Sequence, residues 1–276
     1  MLDKASHQNS QDIRLIAIDL DGTLLNNQGQ LSPGNRRSIQ RAYKQGIHII
    51  LATTRNYEDV QKVCVILGIN DPIICANGAH IYESLTGALW QERCIPLHIA
   101  RRICQIADQN GWELSTSIGM TTYFKRRPGQ FTGLLAPNIE IVENNVDAIE
   151  AKAPHRILTW QPEAIQRLRE ICVEELQPDC HSEIFHKTTG EPHSLGIFAR
   201  GADKGSALEF VLAKMGISTR HVMAIGDNGN DLPLFALAAL KVTVENGTEE
   251  IKQAANIIAP SNEDDGVAWV VEKYFL

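Results

Sequence analysis

The chain has 276 residues, 43% of them hydrophobic and 21% charged, enough apolar material for one medium-sized enzyme or two small domains and too much for a disordered chain. Its formal charge of -7 repels phosphate backbones, so nucleic acid is not the expected partner. No run of about 18 apolar residues occurs and the opening MLDKASHQNSQD is polar, so no membrane association or export is expected and the predicted location is cytoplasmic.

Residues 1–11 are expected to form a flexible tail. Ile13 to Leu20 then reads as a near-continuous apolar run of strand length, the pattern of a strand buried on both faces of a parallel sheet. LSPGNRRSIQRAYKQG supplies the returning helix, with Ser32 as N-cap, Pro33 in the first turn and Gly46 past the end. Ile47 to Ala52 is the second predicted strand. Asn56 to Leu67 is the next amphipathic helix, with Val60, Val63, Cys64 and Leu67 inward and Gly68 as its stop. Pro72 to Ala76 is the third strand, ending in Asn77-Gly78.

From about Glu83 to Gly190 the rhythm changes. WELSTSIGMTTYFKR suggests a hairpin around Gly119, flanked by two helical patterns, PLHIARRICQIADQNG and PEAIQRLREICVEEL. From His193 the alternation resumes with strand SLGIFA, a helix over 203–215, strand HVMAIGD, a short helix after Asp231, strand KVTVE, helix TEEIKQAA, strand NIIA and a last helix containing GVAWVVEKYF. The predicted fold class is α/β: a doubly wound, Rossmann-like parallel-sheet core, residues 1–82 and 191–276, interrupted by an inserted α+β domain at 83–190.

The insert carries no basic clamp; residues 84–190 hold 11 basic and 13 acidic side chains. Its one concentrated positive stretch, Lys125-Arg126-Arg127 after Tyr123 and Phe124, reads as a solvated hairpin edge, with contact to an anionic ligand as the alternative. The six cysteines form no CxxC pair and are expected as reduced core residues. His181, His186 and His193 lack a ligand pattern around them and are not expected to bind metal.

In open parallel sheets ligands bind beyond the carboxyl ends of the strands, and here those ends are strongly polar. The first strand ends in Asp19-Leu20-Asp21-Gly22-Thr23 and the second in Thr53-Thr54-Arg55. The strand after the insert leads to Asp203-Lys204, and the next ends in Gly226-Asp227-Asn228-Gly229-Asn230-Asp231. Asp19 and Asp21, two apart in extended chain, project to one side. With Asp227 and Asp231 they make an oxygen-rich acidic group of the kind Mg²⁺ prefers. Lys204, Thr53, Asn230 and the N–H groups near Gly22 and Thr54 are donors suited to phosphoryl oxygens. Singly, each element also fits a cap, an Asx turn or a surface charge; together, at four successive strand ends, they point to phosphoryl transfer.

DLDGTLL at 19–25, LATTR at 51–55, DKGSAL at 203–208 and GDNGNDLPLF at 226–235 resemble the four motifs of the haloacid dehalogenase superfamily, specifically its Cof-type phosphatase branch with a large α/β cap. CANGAHIY at 75–82 and SNEDDGVA at 261–268 resemble further segments of that branch, whereas the insert matches only in position, size and class. The resemblance implies Asp19 as nucleophile and Asp21 as general acid and base. It implies Mg²⁺ held by Asp19, the backbone carbonyl of Asp21, and Asp227, with Asp231 adjusting the site from outside, and a phosphoryl group gripped by Thr53, Thr54, Lys204 and Asn230. One position departs: the second motif commonly reads Thr-Gly-Arg, and Thr54 stands where the glycine is usual.

The expected function is therefore Mg²⁺-dependent hydrolysis of a small phosphorylated metabolite, such as a sugar phosphate, through an aspartyl-phosphate. A phosphomutase, passing the same phosphoryl group to a second hydroxyl, is the alternative enzyme. A phospho-Asp signalling module is the non-catalytic one, disfavoured because both leading acids follow the first strand and an insert interrupts the core.

Overall fold

A computed structural model of the chain describes residues 12–125, 138–149, 152–186 and 191–276; the expected tail at 1–11, and Arg126 and Arg127, lie outside them. In chain order the elements are β1 (Leu15–Ile18), α1 (Pro33–Lys44), β2 (His48–Leu51), α2 (Tyr57–Leu67), β3 (Ile73–Cys75), β4 (His80–Tyr82) and β5 (Leu89–Glu92). There follow α3 (Leu97–Gln109), β6 (Ser115–Ile118), β7 (Thr121–Phe124), β8 (Asn138–Ile141), β9 (Arg156–Thr159), α4 (Pro162–Glu174), β10 (Cys180–His186) and β11 (Pro192–Ala199). The chain closes with α5 (Lys204–Met215), β12 (Val222–Gly226), α6 (Leu232–Leu237), β13 (Leu240–Val244), α7 (Glu249–Ala254), β14 (Ile257–Ala259) and α8 (Gly266–Phe275). Two compact units result, one of residues up to Thr53, Tyr57–Trp90 and Lys204–Leu276, the other of Thr54–Asn56 and Gln91–Asp203.

The first unit is built on a parallel sheet of order β14-β13-β12-β1-β2. Alternate residues of its strands feed different cores. Ile16 and Ile18 of β1, Ile49 and Leu51 of β2, and Met223 and Ile225 of β12 join one apolar cluster. Leu15, Ala17, Ile50, Val222 and Ala224 join a second. Burial on both faces is why these strands lack a polar alternation. The helices follow their local signals: Ser32 accepts the N–H of Asn35 at 3.0 Å to cap α1, and Val60, Val63, Cys64 and Leu67 are the buried face of α2.

Register brings the functional segments together. Ile18 pairs with Ile225 on one side and with Leu51 on the other, so Asp19, Gly226 and Ala52 leave the sheet at one edge. From β1 the chain continues to β2, whereas from β12 it continues to β13 and β14 on the opposite side. That reversal between β1 and β12 is the switch point at which such sheets bind ligands.

Two strands fall elsewhere than their apolar runs suggest. β3, expected in the parallel sheet, pairs antiparallel with β4 in a three-stranded sheet of order β3-β4-β5 and touches β2 through a single parallel bridge, Ala52 to Ile74. The run SLGIFA, expected as a core strand, is β11 of the second unit, antiparallel to β10 and β9. Its sheet has the order β10-β11-β9-β6-β7-β8. β11 is covered on both faces: Leu195 and Ile197 pack with Ile103, Ile165 and Leu168 of the helices, and Phe198 meets Phe185 edge-on at 6.5 Å. A doubly buried antiparallel strand reads like a parallel one.

The hairpin β6-β7 forms around Gly119. β7 is not an edge, since β8 pairs on its outer side, and the partly buried Lys125 meets Asp108 at 3.1 Å; the solvated-edge reading of Lys125 is thereby corrected. All six cysteines are free thiols, five of them buried. Among the described residues no helix is long and apolar enough to cross a membrane.

Candidate active site

Asp19 follows β1 and is buried, its N–H bonded to the carbonyl of Ile225 at 3.0 Å. Lys204, the first residue of α5 and 1% exposed, donates to Oδ1 of Asp19 and to Oδ1 of Asp231, each at 2.6 Å. Asp231 uses its other oxygen as a local cap, accepting the N–H groups of Asp227 and Asn228 at 3.0 and 3.2 Å. Asp227 is oriented by Thr23, whose hydroxyl donates to its Oδ1 at 2.9 Å. One carboxylate oxygen each from Asp19, Asp227 and Asp231 lies within 4.8 Å of the others.

Two glycines make this approach possible. Gly22 has φ +81°, a conformation that disfavours a side chain, and a Cβ there would stand 2.5 Å from Oδ2 of Asp227. A Cβ on Gly226 would stand 2.4 Å from Cγ of Asp231. The Gly22 carbonyl is held by the Asn246 amide at 2.7 Å, so the turn after β1 is fixed from outside as well.

Electrostatically the group is short of positive charge. Burial pushes Asp19 well above the usual carboxylate range; Lys204 opposes this, while Asp231, Asp227 and Asp21 reinforce it. Burial and Asp231 push Asp227 up to about 7, against the hydrogen bond from Thr23 and the charge of Lys204. For Lys204 burial works against the ammonium, but Asp19 and Asp231 outweigh it and raise its pKa. The carboxylates of Asp19, Asp227 and Asp231 outnumber the Lys204 ammonium that bridges two of them, and their hard oxygen donors fit a divalent cation such as Mg²⁺.

The other predicted residues are placed as follows. Asp21 is exposed yet near enough to act on Asp19. Thr53 is fully buried, its N–H on the Ile74 carbonyl at 2.9 Å and its own carbonyl accepting the N–H of Asn77 at 2.9 Å. The Asn230 amide donates to Oδ1 of Asn77 at 3.2 Å. Thr54 groups with the second unit, where Nη1 of the buried Arg156 donates to its carbonyl at 2.9 Å. Thr54 is not among the residues of positive φ, so a threonine fits without backbone strain. Thr23, Asn77 and Asn246 were not anticipated. The only signals were the Thr after Asp-x-Asp-Gly and the Asn-Gly after β3, both of which also read as turn chemistry.

Comparison with known proteins agrees with this geometry. The family model for haloacid dehalogenase-like hydrolases matches residues 16–271. The chain is 29% identical over 269 residues to the 5-amino-6-(5-phospho-D-ribitylamino)uracil phosphatase YcsE of Bacillus subtilis, covering 96% of this chain and 97% of that protein. It is 28% identical over 295 residues to YwtE, a phosphatase of the same name from that organism, covering 95% and 98%. The crystal structure of a haloacid dehalogenase-like hydrolase from Bacteroides thetaiotaomicron superposes with a TM-score of 0.81 at 26% identity, covering 95% of this chain and all of the other. The chain therefore belongs to the haloacid dehalogenase-like hydrolases, in their Cof-type phosphatase branch.

Proposed function

We propose that the protein is a Mg²⁺-dependent phosphatase that hydrolyses a small phosphorylated metabolite in the cytoplasm, through an aspartyl-phosphate formed on Asp19. The observation that carries the reading is the buried Asp19 carboxyl, clasped by Lys204 at 2.6 Å beside Asp227 and Asp231 at the sheet's switch point. In this reading the unit of residues up to Thr53, Tyr57–Trp90 and Lys204–Leu276 is the catalytic core, and the insert is the cap domain that selects the leaving group, its boundaries moved from the expected 83–190 to Gln91–Asp203 because β11 pairs with β9 and β10.

The carboxylates of Asp19 and Asp227 and the backbone carbonyl of Asp21 would hold Mg²⁺, with Asp231 outside them. When bound, the ion neutralises the carboxylates and draws charge from the phosphoryl oxygens. Asp19 attacks phosphorus in line with the departing oxygen. Lys204 holds Asp19 in place and takes up part of the negative charge that develops. Asp21 protonates the leaving oxygen, then accepts a proton from the water that attacks the acyl-phosphate. Thr53, the N–H of Thr54, and Asn230 grip the transferred group.

The activity for which the Bacillus relatives are named, removal of phosphate from a phosphoribitylamino compound, supports a substrate in which a phosphate ends a sugar-like chain. A panel of phosphorylated sugars, sugar alcohols and nucleotides, assayed for released phosphate with Mg²⁺ and with EDTA, tests the reading. Turnover should need the ion, and Asp19→Asn should lose more than about a thousandfold in kcat while keeping its fold. Full activity of that variant, EDTA-insensitive turnover, or isomerised product in place of free phosphate would each overturn it.

A further inference from the structure

From the hydrogen bonds around the turn after β3 we infer that Asn77 is a positioning residue for the phosphoryl-binding donors, an inference that rests on the phosphatase reading above. Asn77 is fully buried and sits in the left-handed region at φ 58° and ψ 28°, straight after Ala76 at φ 49°. Alanine rarely adopts that conformation, so the turn is held by its surroundings, as strained backbone at working sites tends to be.

Two bonds show what the turn holds. Oδ1 of Asn77 accepts from Nδ2 of Asn230 at 3.2 Å. A primary amide carries two N–H groups in one plane; tying one to Asn77 fixes the plane and aims the other in a single direction. The backbone N–H of Asn77 donates to the carbonyl of Thr53 at 2.9 Å. In a trans peptide the N–H of the next residue points opposite that carbonyl, so this bond turns the N–H of Thr54 away from Asn77. One buried residue thus orients two of the donors assigned to the phosphoryl group.

The side-chain half of the inference is separable from the backbone half. Asn77→Gly removes the amide, while glycine keeps the left-handed turn and with it the bond to Thr53. The Michaelis constant for the best monoester and the inhibition constant of inorganic phosphate should both rise about tenfold, the scale of one hydrogen bond to a charged group. A merely destabilised protein behaves differently: fewer active molecules lower the apparent kcat and leave both constants unchanged.

In an Asn230→Ala background the same change should add less than about twofold, because the effect passes through Asn230. If Asn77→Gly does not yield folded protein, Asn77→Ser, whose shorter side chain falls short of Asn230, should give the same rise. Unchanged constants in a folded variant, or losses that simply multiply in the double variant, overturn the inference. Absence of phosphate release by the wild-type protein across the panel would instead sink the phosphatase reading.

Discussion

Replacing Lys204 by methionine tests the electrostatics of the site most directly, because it removes the ammonium that bridges Asp19 and Asp231 while keeping most of the buried stem. At 2.6 Å from each carboxylate, the gross attraction is about 6 kcal/mol per pair for an effective dielectric of roughly 20. The net cost of losing one partner of a buried pair is smaller, about 3–5 kcal/mol. The cost should depend on pH in a determined direction. Lys204 has a raised pKa, so its charge is complete throughout the neutral range. The stranded carboxyls can escape by taking protons, since Asp19 and Asp227 are already shifted up.

A carboxyl whose folded pKa is raised contributes stability below its unfolded pKa, and that contribution is lost as pH rises through the folded value. For Asp227 the window runs from about 3.9 up to about 7. Lys204→Met should therefore lower the melting temperature by about 10 °C or more at pH 8 and by much less at pH 5. Saturating Mg²⁺ at pH 8 should recover part of the loss, because the ion supplies the missing charge. Thermal melts of both proteins at the two pH values, with and without the ion, would show this. An equal loss at pH 5 and pH 8, or none at pH 8, would refute the reasoning.

The same shift governs ion binding: protons compete with Mg²⁺ for Asp227, so the apparent affinity measured by calorimetry should rise about tenfold per pH unit up to about 7 and level off above it. A flat profile would mean that Asp227 is ionised throughout. Gly22→Ala should weaken Mg²⁺ binding about 10- to 100-fold, since its Cβ would stand 2.5 Å from Oδ2 of Asp227 and the φ of +81° opposes it. An unchanged ion affinity in a folded Gly22→Ala protein would show that Asp227 can move without consequence.

What the sequence made legible is the part of the fold in which local pattern and burial agree. The apolar runs at β1, β2 and β12 are strands because both faces are covered, and Asp19, Thr53 and Asp227 stand near their ends because chemistry in a parallel sheet collects at the carboxyl edge. The runs at β3 and β11 have the same composition and different partners. Nothing local distinguishes an antiparallel strand buried on both faces from a parallel one, and only the pairing of β11 with β9 and β10 assigns it. In the second unit most strands are short, and nothing local in β8 to β11 joins them to the hairpin as one sheet. Lys125 likewise carries no sign of Asp108, 17 residues away.

A similar limit applies to residues that act through others. A catalytic acid at a strand end announces itself by being costly there, since buried charge needs a reason. Thr23, Asn77 and Asn246 cost little in a turn, so their residue types are equally consistent with turn chemistry. Thr54 is the converse case. Its side chain departs from the glycine usual in the resembling motif, yet its backbone is free of positive φ and its carbonyl is held by Arg156. The donor that a phosphoryl group would use belongs to the backbone, and the peptide before it is set by the bond from Asn77 to Thr53. A threonine therefore leaves that donor intact and changes only the space around it, which makes substrate shape, more than turnover chemistry, the property that this substitution can alter.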